Sequence, residues 1–335
     1  FVTGNRRADA NTSSIKGSGQ FSGFSIGFPV YDPYGISFAF GLQPETGMDY
    51  KLQQKVVDAN FTDGGYTSQY SGAGGLNKIF FGTSYRLPVG LSLGVSFEYV
   101  FGSLTTNREV IFVAEDVLNT YYTDTEESKG SRLNLAVLSP NIKDYVGLSS
   151  LYSVRVSAGY TLGTSLSSTV LSVFGNNLFR DTSGTSSSEF DLPARLTAGV
   201  AIGFNERTHL AIDYTMQDYS KFTYNVAGNA KGFTAFKIGA GIEYREVVAP
   251  GEVNSMVYRA GFGYEQLPFK INNSQLDELS ASIGMSIPIN PGNSVDLALQ
   301  YVTRGNTGKL SVKEDILRFG FGLSLGEIWF FRPER

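Results

Sequence analysis

The chain of 335 residues has no cysteine, one histidine and one tryptophan, and only 17% of its residues are charged. Without cysteine there is no disulfide framework, thiolate metal site or cysteine nucleophile. Soluble domains carry roughly 25% charged residues, so this chain has too few to clothe a large water-facing surface. No stretch approaches the roughly 18 consecutive apolar residues of a membrane-spanning helix. A formal net charge of −4 supplies no basic footprint for nucleic acid. What is abundant is glycine (39), phenylalanine (25) and tyrosine (19).

Those residues are arranged with period two, the signature of strands. Leu317, Phe319, Phe321, Leu323 and Leu325 alternate with Arg318, Gly320, Gly322 and Ser324. Leu91, Leu93, Val95, Phe97 and Tyr99 alternate with Ser92, Gly94, Ser96 and Glu98. One face is greasy and aromatic; the other carries Gly, Ser and isolated charges. A soluble barrel would bury the apolar face and cover its outside with Lys and Glu, for which the charges are lacking. The pattern therefore predicts an all-β, transmembrane antiparallel barrel, apolar outward to lipid and polar inward to a lumen, closed so that no edge is unpaired. The expected lumen charges are Glu98, Arg155, Arg195, Asp213, Lys237, Glu243, Arg259 and Asp296. They either pair with one another or leave one cation free for a ligand carboxylate.

Thirteen strands are expected, at about 17–30, 34–58, 63–87, 90–113, 146–162, 165–180, 188–204, 207–220, 232–247, 252–269, 276–289, 293–305 and 309–327. Phe1–Gly4 reads as the tail of a further strand lying mostly before residue 1, for fourteen in all, followed by an outer loop from Asn5 to Lys16. Tight turns are expected at 29–35, 88–90, 162–164, 205–207 and 290–293, and long loops at 114–145, 180–189, 221–231 and 270–275. Short turns at one end and long loops at the other match an outer-membrane barrel with its short end periplasmic. Residues 1–335 form a single barrel domain on this reading. Trp329 and Phe330 read as an interfacial anchor.

Phrases spread along the chain resemble the OMPP1/FadL/TodX family of outer-membrane transporters, in its divergent Bacteroidetes and Chlorobi-type branch. They include Gly35–Pro44, Ser71–Lys78, Leu91–Ser103, Asp191–Arg195, Tyr258–Phe262, Gln300–Gly305 and Glu327–Phe330. The resemblance implies a channel for hydrophobic small molecules such as long-chain fatty acids, captured at outer loops and released sideways through a kink in the third strand. An N-terminal hatch would obstruct the barrel and is absent from this sequence. Pro44, Glu45, Thr46 and Gly47 are the expected kink, since Pro cannot donate to a ladder and Gly weakens it. Phe112, Leu118, Tyr121, Tyr122, Leu133 and Leu135 are the expected capture loop. The same loop serves equally as a protein-docking face. On that alternative the chain is a non-transporting scaffold or docking subunit of an outer-membrane complex, resembling the type IX secretion shuttle protein. The partners are thus a hydrophobic ligand or lipid, outer-membrane lipid, and a possible protein at the outer loops.

Catalysis is not expected. His209, the sole histidine, sits beside a predicted periplasmic turn, away from any rim nucleophile, and reads as a polar interface residue. Neither a cofactor nor a metal is expected: acidic Asp116, Asp124, Glu126 and Glu127 read as a solvated loop rather than a cation site. Ser-rich 181–188 reads as a loop tip.

Overall fold

A computed structural model describes residues 2–9, 13–57, 65–113, 117–176, 178–220, 223–224, 230–246, 255–271, 274–290, 292–306 and 312–326. The strands are β1 (Val2–Asp9), β2 (Ser13–Gly19), β3 (Phe24–Tyr31), β4 (Ile36–Val56), β5 (Tyr66–Arg86), β6 (Ser92–Phe112) and β7 (Thr120–Leu138). They continue with β8 (Ser153–Thr161), β9 (Thr164–Asn176), β10 (Arg180–Leu192), β11 (Arg195–Gly203) and β12 (Thr208–Asp218). After a small hairpin of β13 (Thr223–Tyr224) and β14 (Ala230–Lys231) come β15 (Thr234–Arg245), β16 (Val257–Ile271), β17 (Ser274–Asn290), β18 (Asn293–Asn306) and β19 (Val312–Ser324). All but the small hairpin belong to one sheet of 17 strands. No helix among the described residues is long and apolar enough to cross a membrane.

Three pairs of these strands are collinear. β7 pairs with β8 (Asn134 opposite Thr161) and, higher up, with β9 (Lys129 opposite Ser167). β10 and β11 then pair with β9 and β8 in one register, Leu192 opposite Thr164 and Arg195 opposite Thr161. β2 and β3 are likewise successive parts of one strand. The 17 described segments are therefore 14 wall strands, and β1 pairs with both β19 and β2. The all-β antiparallel barrel read from the alternation is the fold.

The alternation also holds face by face. Phe97, Phe262, Ile283 and Phe321 point outward and are 50%, 58%, 62% and 66% exposed, whereas Glu98, next to Phe97, is 4% exposed inside. A water-soluble barrel has the reverse distribution.

Four of the five expected tight turns are present. Asp32–Tyr34 is a 3-10 turn, Gly90 N donates to Leu87 O, Asn205 caps Arg207 and Thr208, and β17 and β18 meet around Gly292. The fifth, 162–164, is a correction: the chain does not reverse there but carries on along β7. The 114–145 loop is also corrected, since Thr120–Leu138 is a strand of 19 residues. Its upper half is polar on both faces, because it extends beyond the apolar band, and so mimics a loop. These two errors offset each other, leaving the strand count at fourteen. Ser-rich 181–188 belongs to β10, 270–275 contracts to a two-residue link with Ile271 opposite Ser274, and the 5–16 loop shrinks because β1 runs to Asp9. Trp329 and Phe330 lie outside the described residues.

The wall is unequal in height. β4, β5 and β6 have 21 residues each, whereas β12 and β15 have 11 and 12. At about 3.3 Å per residue, one side stands some tens of ångströms above the other.

Candidate functional site

The site begins with one extra residue. Pro44 lies opposite Asn77 and Thr46 opposite Leu76, so Glu45 is unmatched in the β4–β5 ladder. A bulge re-aims a side chain, and this one sends the Glu45 carboxylate into the lumen. β4's other neighbour is lost at the same level: β3 pairs with it only as far as Phe24 opposite Leu42. Above Leu42, a Cβ built on Gly47 would meet the Gln20 amide nitrogen at 3.7 Å. β5 and β6 approach closely beside the bulge. A Cβ on Gly74, whose φ is +117°, would lie 2.2 Å from Ser103 O, and one on Gly102 would lie 2.2 Å from Gly75 O. Only glycine permits such approach.

Glu45 is the hub of a buried ion network. Arg132 Nη2 is 2.8 Å from Glu45 Oε2 and Arg132 Nε donates to Glu98 Oε2 at 2.7 Å. Lys78 Nζ bridges Glu98 at 2.9 Å and Glu45 at 3.6 Å, and Arg195 from β11 donates to Glu45. The Arg132 side chain is 0% exposed and that of Glu45 3%. Three cations face two carboxylates, and Arg132 Nη1 has no hydrogen-bond partner. Charges this deep require pairing, since taking each from water costs several kcal/mol. Near the network, above β12, burial pushes the Tyr219 phenol up from its usual value, with Arg195 pulling it back.

Inward-facing Leu76, Val100 and Leu166 are 1%, 0% and 0% exposed and cluster with Leu192. On the opposite wall Val302 and Ile316 are also almost wholly buried. Below lies a cavity of about 1070 Å³ lined by small residues such as Gly241, Gly261, Gly284, Ala298 and Gly322. A second cavity of about 560 Å³ lies against β3–β6, between Pro29, Ala39, Phe80 and Ser96, with Lys78 and Glu98 among its lining.

The predicted lumen charges divide into groups. Glu98 and Arg195 join the hub. Arg259 Nε donates to Glu243 at 2.9 Å and its Nη1 to Ser286 Oγ at 2.6 Å, while Ser286 and Ser324 both donate to Asp296. Lys237 pairs with Glu265 at 3.2 Å. Arg155, opposite Ala201, and Asp213, opposite Gly199, make no ion pair among the described residues. His209 lines the lower cavity beside Tyr152, ring centroids 6.4 Å apart, and its buried Nδ1 has no hydrogen-bond partner. Among the described residues no group of three His, Cys, Asp or Glu is placed to hold a metal.

The expected capture loop does not assemble. Phe112 ends β6, Tyr121 and Tyr122 begin β7, and Leu133 and Leu135 lie low on β7 with outward-facing, exposed side chains. Only Leu118 lies in the short β6–β7 connection. Lys78 and Arg132 were missed by sequence reasoning. The Arg132-Leu133-Asn134-Leu135 alternation carried the signal, but it was hidden inside the supposed loop.

No curated protein matches the chain. Among solved structures it is similar to a Pseudomonas aeruginosa FadL homologue (TM-score 0.65, 11% identity, 95% of this chain and 87% of that one). It is also similar to the Pseudomonas putida toluene transporter TodX (0.54, 15%, 96% and 87%) and to a TodX mutant described as a monoaromatic hydrocarbon channel (0.60, 14%, 97% and 88%). At these identities the likeness is one of fold, and the resemblance read from the sequence holds at that level. The family model that matches is a different one, and it extends from residue 3 to 334. By that match the chain belongs to the BamG family.

Proposed function

We propose that the chain is an integral outer-membrane barrel serving as a subunit of a BAM-associated membrane complex, holding partners rather than conducting solute end to end. The observation that carries this reading is the buried apolar cluster inside the wall: Leu76, Val100 and Leu166, which face inward, have at most 1% exposure. A through-channel needs a continuous wet or apolar path at that level. Membership of the BamG family supports the complex, and the outward apolar band supports the membrane setting. Two of the similar structures are described as a toluene transporter and a monoaromatic hydrocarbon channel, which supports a non-enzymatic role. The test is native gel electrophoresis of outer membranes solubilised in mild detergent, followed by mass spectrometry, with planar-bilayer conductance of the purified barrel. A stoichiometric complex containing BAM components and negligible conductance are expected. A lone barrel that conducts would overturn the reading.

A second reading, a sideways route for hydrophobic small molecules, is favoured by the wall beside Glu45. There β4 loses its β3 neighbour past Leu42 and gains a bulge, next to the 560 Å³ cavity. Ligand would leave between Gln20 and Gly47, through the segment Pro44–Gly47. Because the chain has no native cysteine, the pair Gln20→Cys and Gly47→Cys gives a reversible staple. Uptake of labelled fatty acid into liposomes should stop when the staple is oxidised and return on reduction. Uptake indifferent to the staple would count against the route.

A further inference from the structure

We infer that the free edge of β10 is a strand-addition site that receives an extended, basic segment of a partner protein. The inference rests on the complex-subunit reading and names where on the barrel one partner binds.

The argument starts with unmet hydrogen bonds. β10 runs for 13 residues and pairs with β9 on one side, Arg180 opposite Gly175 through Leu192 opposite Thr164. Among the described residues its other side has no pairing partner. Its continuation β11 does have one, β12, beginning at Arg195 opposite Gln217. Half of the β10 backbone donors and acceptors therefore point away from the sheet. Its side chains from Arg180 to Asp191 are exposed wherever they are described, on both faces of the strand. This ribbon stands above the apolar band, which on this strand begins with outward-facing Leu196. Lipid tails offer no hydrogen bonds, so the group that matches such an edge is another polypeptide backbone.

Strand edges usually carry guards against pairing, such as proline and lysine. β4 above Leu42, where the β3 ladder has ended, has Pro44, Lys51 and Lys55. β10 has neither residue type, and its one irregularity is a bulge between Thr182 and Gly184, which leaves Thr185 to Leu192 in continuous register. Its charges are Asp181, Glu189 and Asp191 against Arg180, so a basic segment complements it. A second copy is disfavoured on the same ground. Pairing two copies of this edge would set two net-negative segments side by side, and like charges across a strand pair repel.

The probe is a fluorescent synthetic peptide of alternating Thr and Val with two Lys at each end, titrated onto the detergent-solubilised full chain by fluorescence polarisation. Consecutive N–H groups point to opposite sides of a strand. Of Ser186→Pro and Ser187→Pro, one removes a donor to β9 and the other a donor at the free edge. Saturable binding of the peptide to the unmodified chain is expected. One proline variant should keep the heat-modifiable mobility of the intact barrel yet lose at least about tenfold in affinity. Replacing the peptide lysines by Glu, or its central residue by Pro, should give a similar loss. Equal binding by both proline variants, equal binding by the proline-broken peptide, or self-association through β10 in place of peptide binding would overturn the inference. Native gels separate the two readings. A BAM-containing complex that survives both proline variants leaves the subunit reading intact and removes this site; peptide binding with no complex in native membranes removes the subunit reading instead.

Discussion

Arg132 on β7 reaches across two intervening strands to Glu45 on β4, Nη2 to Oε2 at 2.8 Å, with the arginine side chain wholly buried. That contact ties the bulge to the far side of the tall wall. Because the network already holds one cation too many, the two signs of substitution are not equivalent. Glu45→Gln leaves Lys78, Arg132 and Arg195 facing Glu98 alone and should cost about 3–5 kcal/mol. Lys78→Met balances the charges and should cost about 1 kcal/mol or less, since Arg132 still holds both carboxylates. Urea unfolding of the refolded barrel in lipid vesicles checks the order; a larger loss for Lys78→Met would contradict it.

Neighbouring residues on one strand should respond oppositely to the same charge. Phe97 faces outward and Ser96 lines the cavity behind it. Phe97→Arg is expected to destabilise the barrel by about 2–4 kcal/mol near the bilayer midplane. Ser96→Arg should cost far less, its guanidinium having wet space and Glu98 nearby. Folding yield into vesicles reports the difference.

Gly74→Ala is expected to destabilise by about 1–3 kcal/mol or to prevent folding, because a Cβ would meet backbone oxygen at 2.2 Å in a left-handed conformation. Gly239→Ala is the control: a Cβ built there meets nothing nearer than Phe262 O at 3.9 Å. Thermal unfolding followed by gel mobility distinguishes them.

His209→Leu should leave complex formation and folding unchanged to within about 1 kcal/mol. Its Nδ1 has no hydrogen-bond partner and its ring contact with Tyr152 is apolar in character. Loss of the complex on this substitution would assign the histidine a role that the geometry does not.

Much of the fold was legible because an alternating strand writes its two environments into successive residues. Phe97 and Glu98 sit where their types demand, and so do the outward Phe319 and Phe321 and the Gly320 between them. Legibility failed where both environments were watery. Above the apolar band, β7 and β10 have polar residues on either face, so Asp124, Glu126, Glu127 and the serines of 181–188 read as loops. Leu162-Gly163 reads as a turn because it breaks the alternation, yet the strand passes straight through, as the expected strand 188–204 does at Pro193-Ala194. The network was half visible: Glu98 and Arg195 stood out as isolated charges, Glu45 was noticed for its backbone neighbours Pro44 and Gly47, and Arg132 was lost inside the supposed loop.

Those two breaks have a mechanical consequence. Residues 162–163 on one strand and 193–194 on the next lie side by side, between the pair Thr161–Arg195 and the pair Thr164–Leu192. β9 stays paired to the unbroken β7, from Ser167 opposite Lys129 to Asn176 opposite Thr120, so the shared interruption loosens two strands without releasing the hairpin above it. Arg195 stands just below that line and is clamped by Glu45, so the ion network on one side and the β7 ladder on the other brace the wall where its own alternation fails.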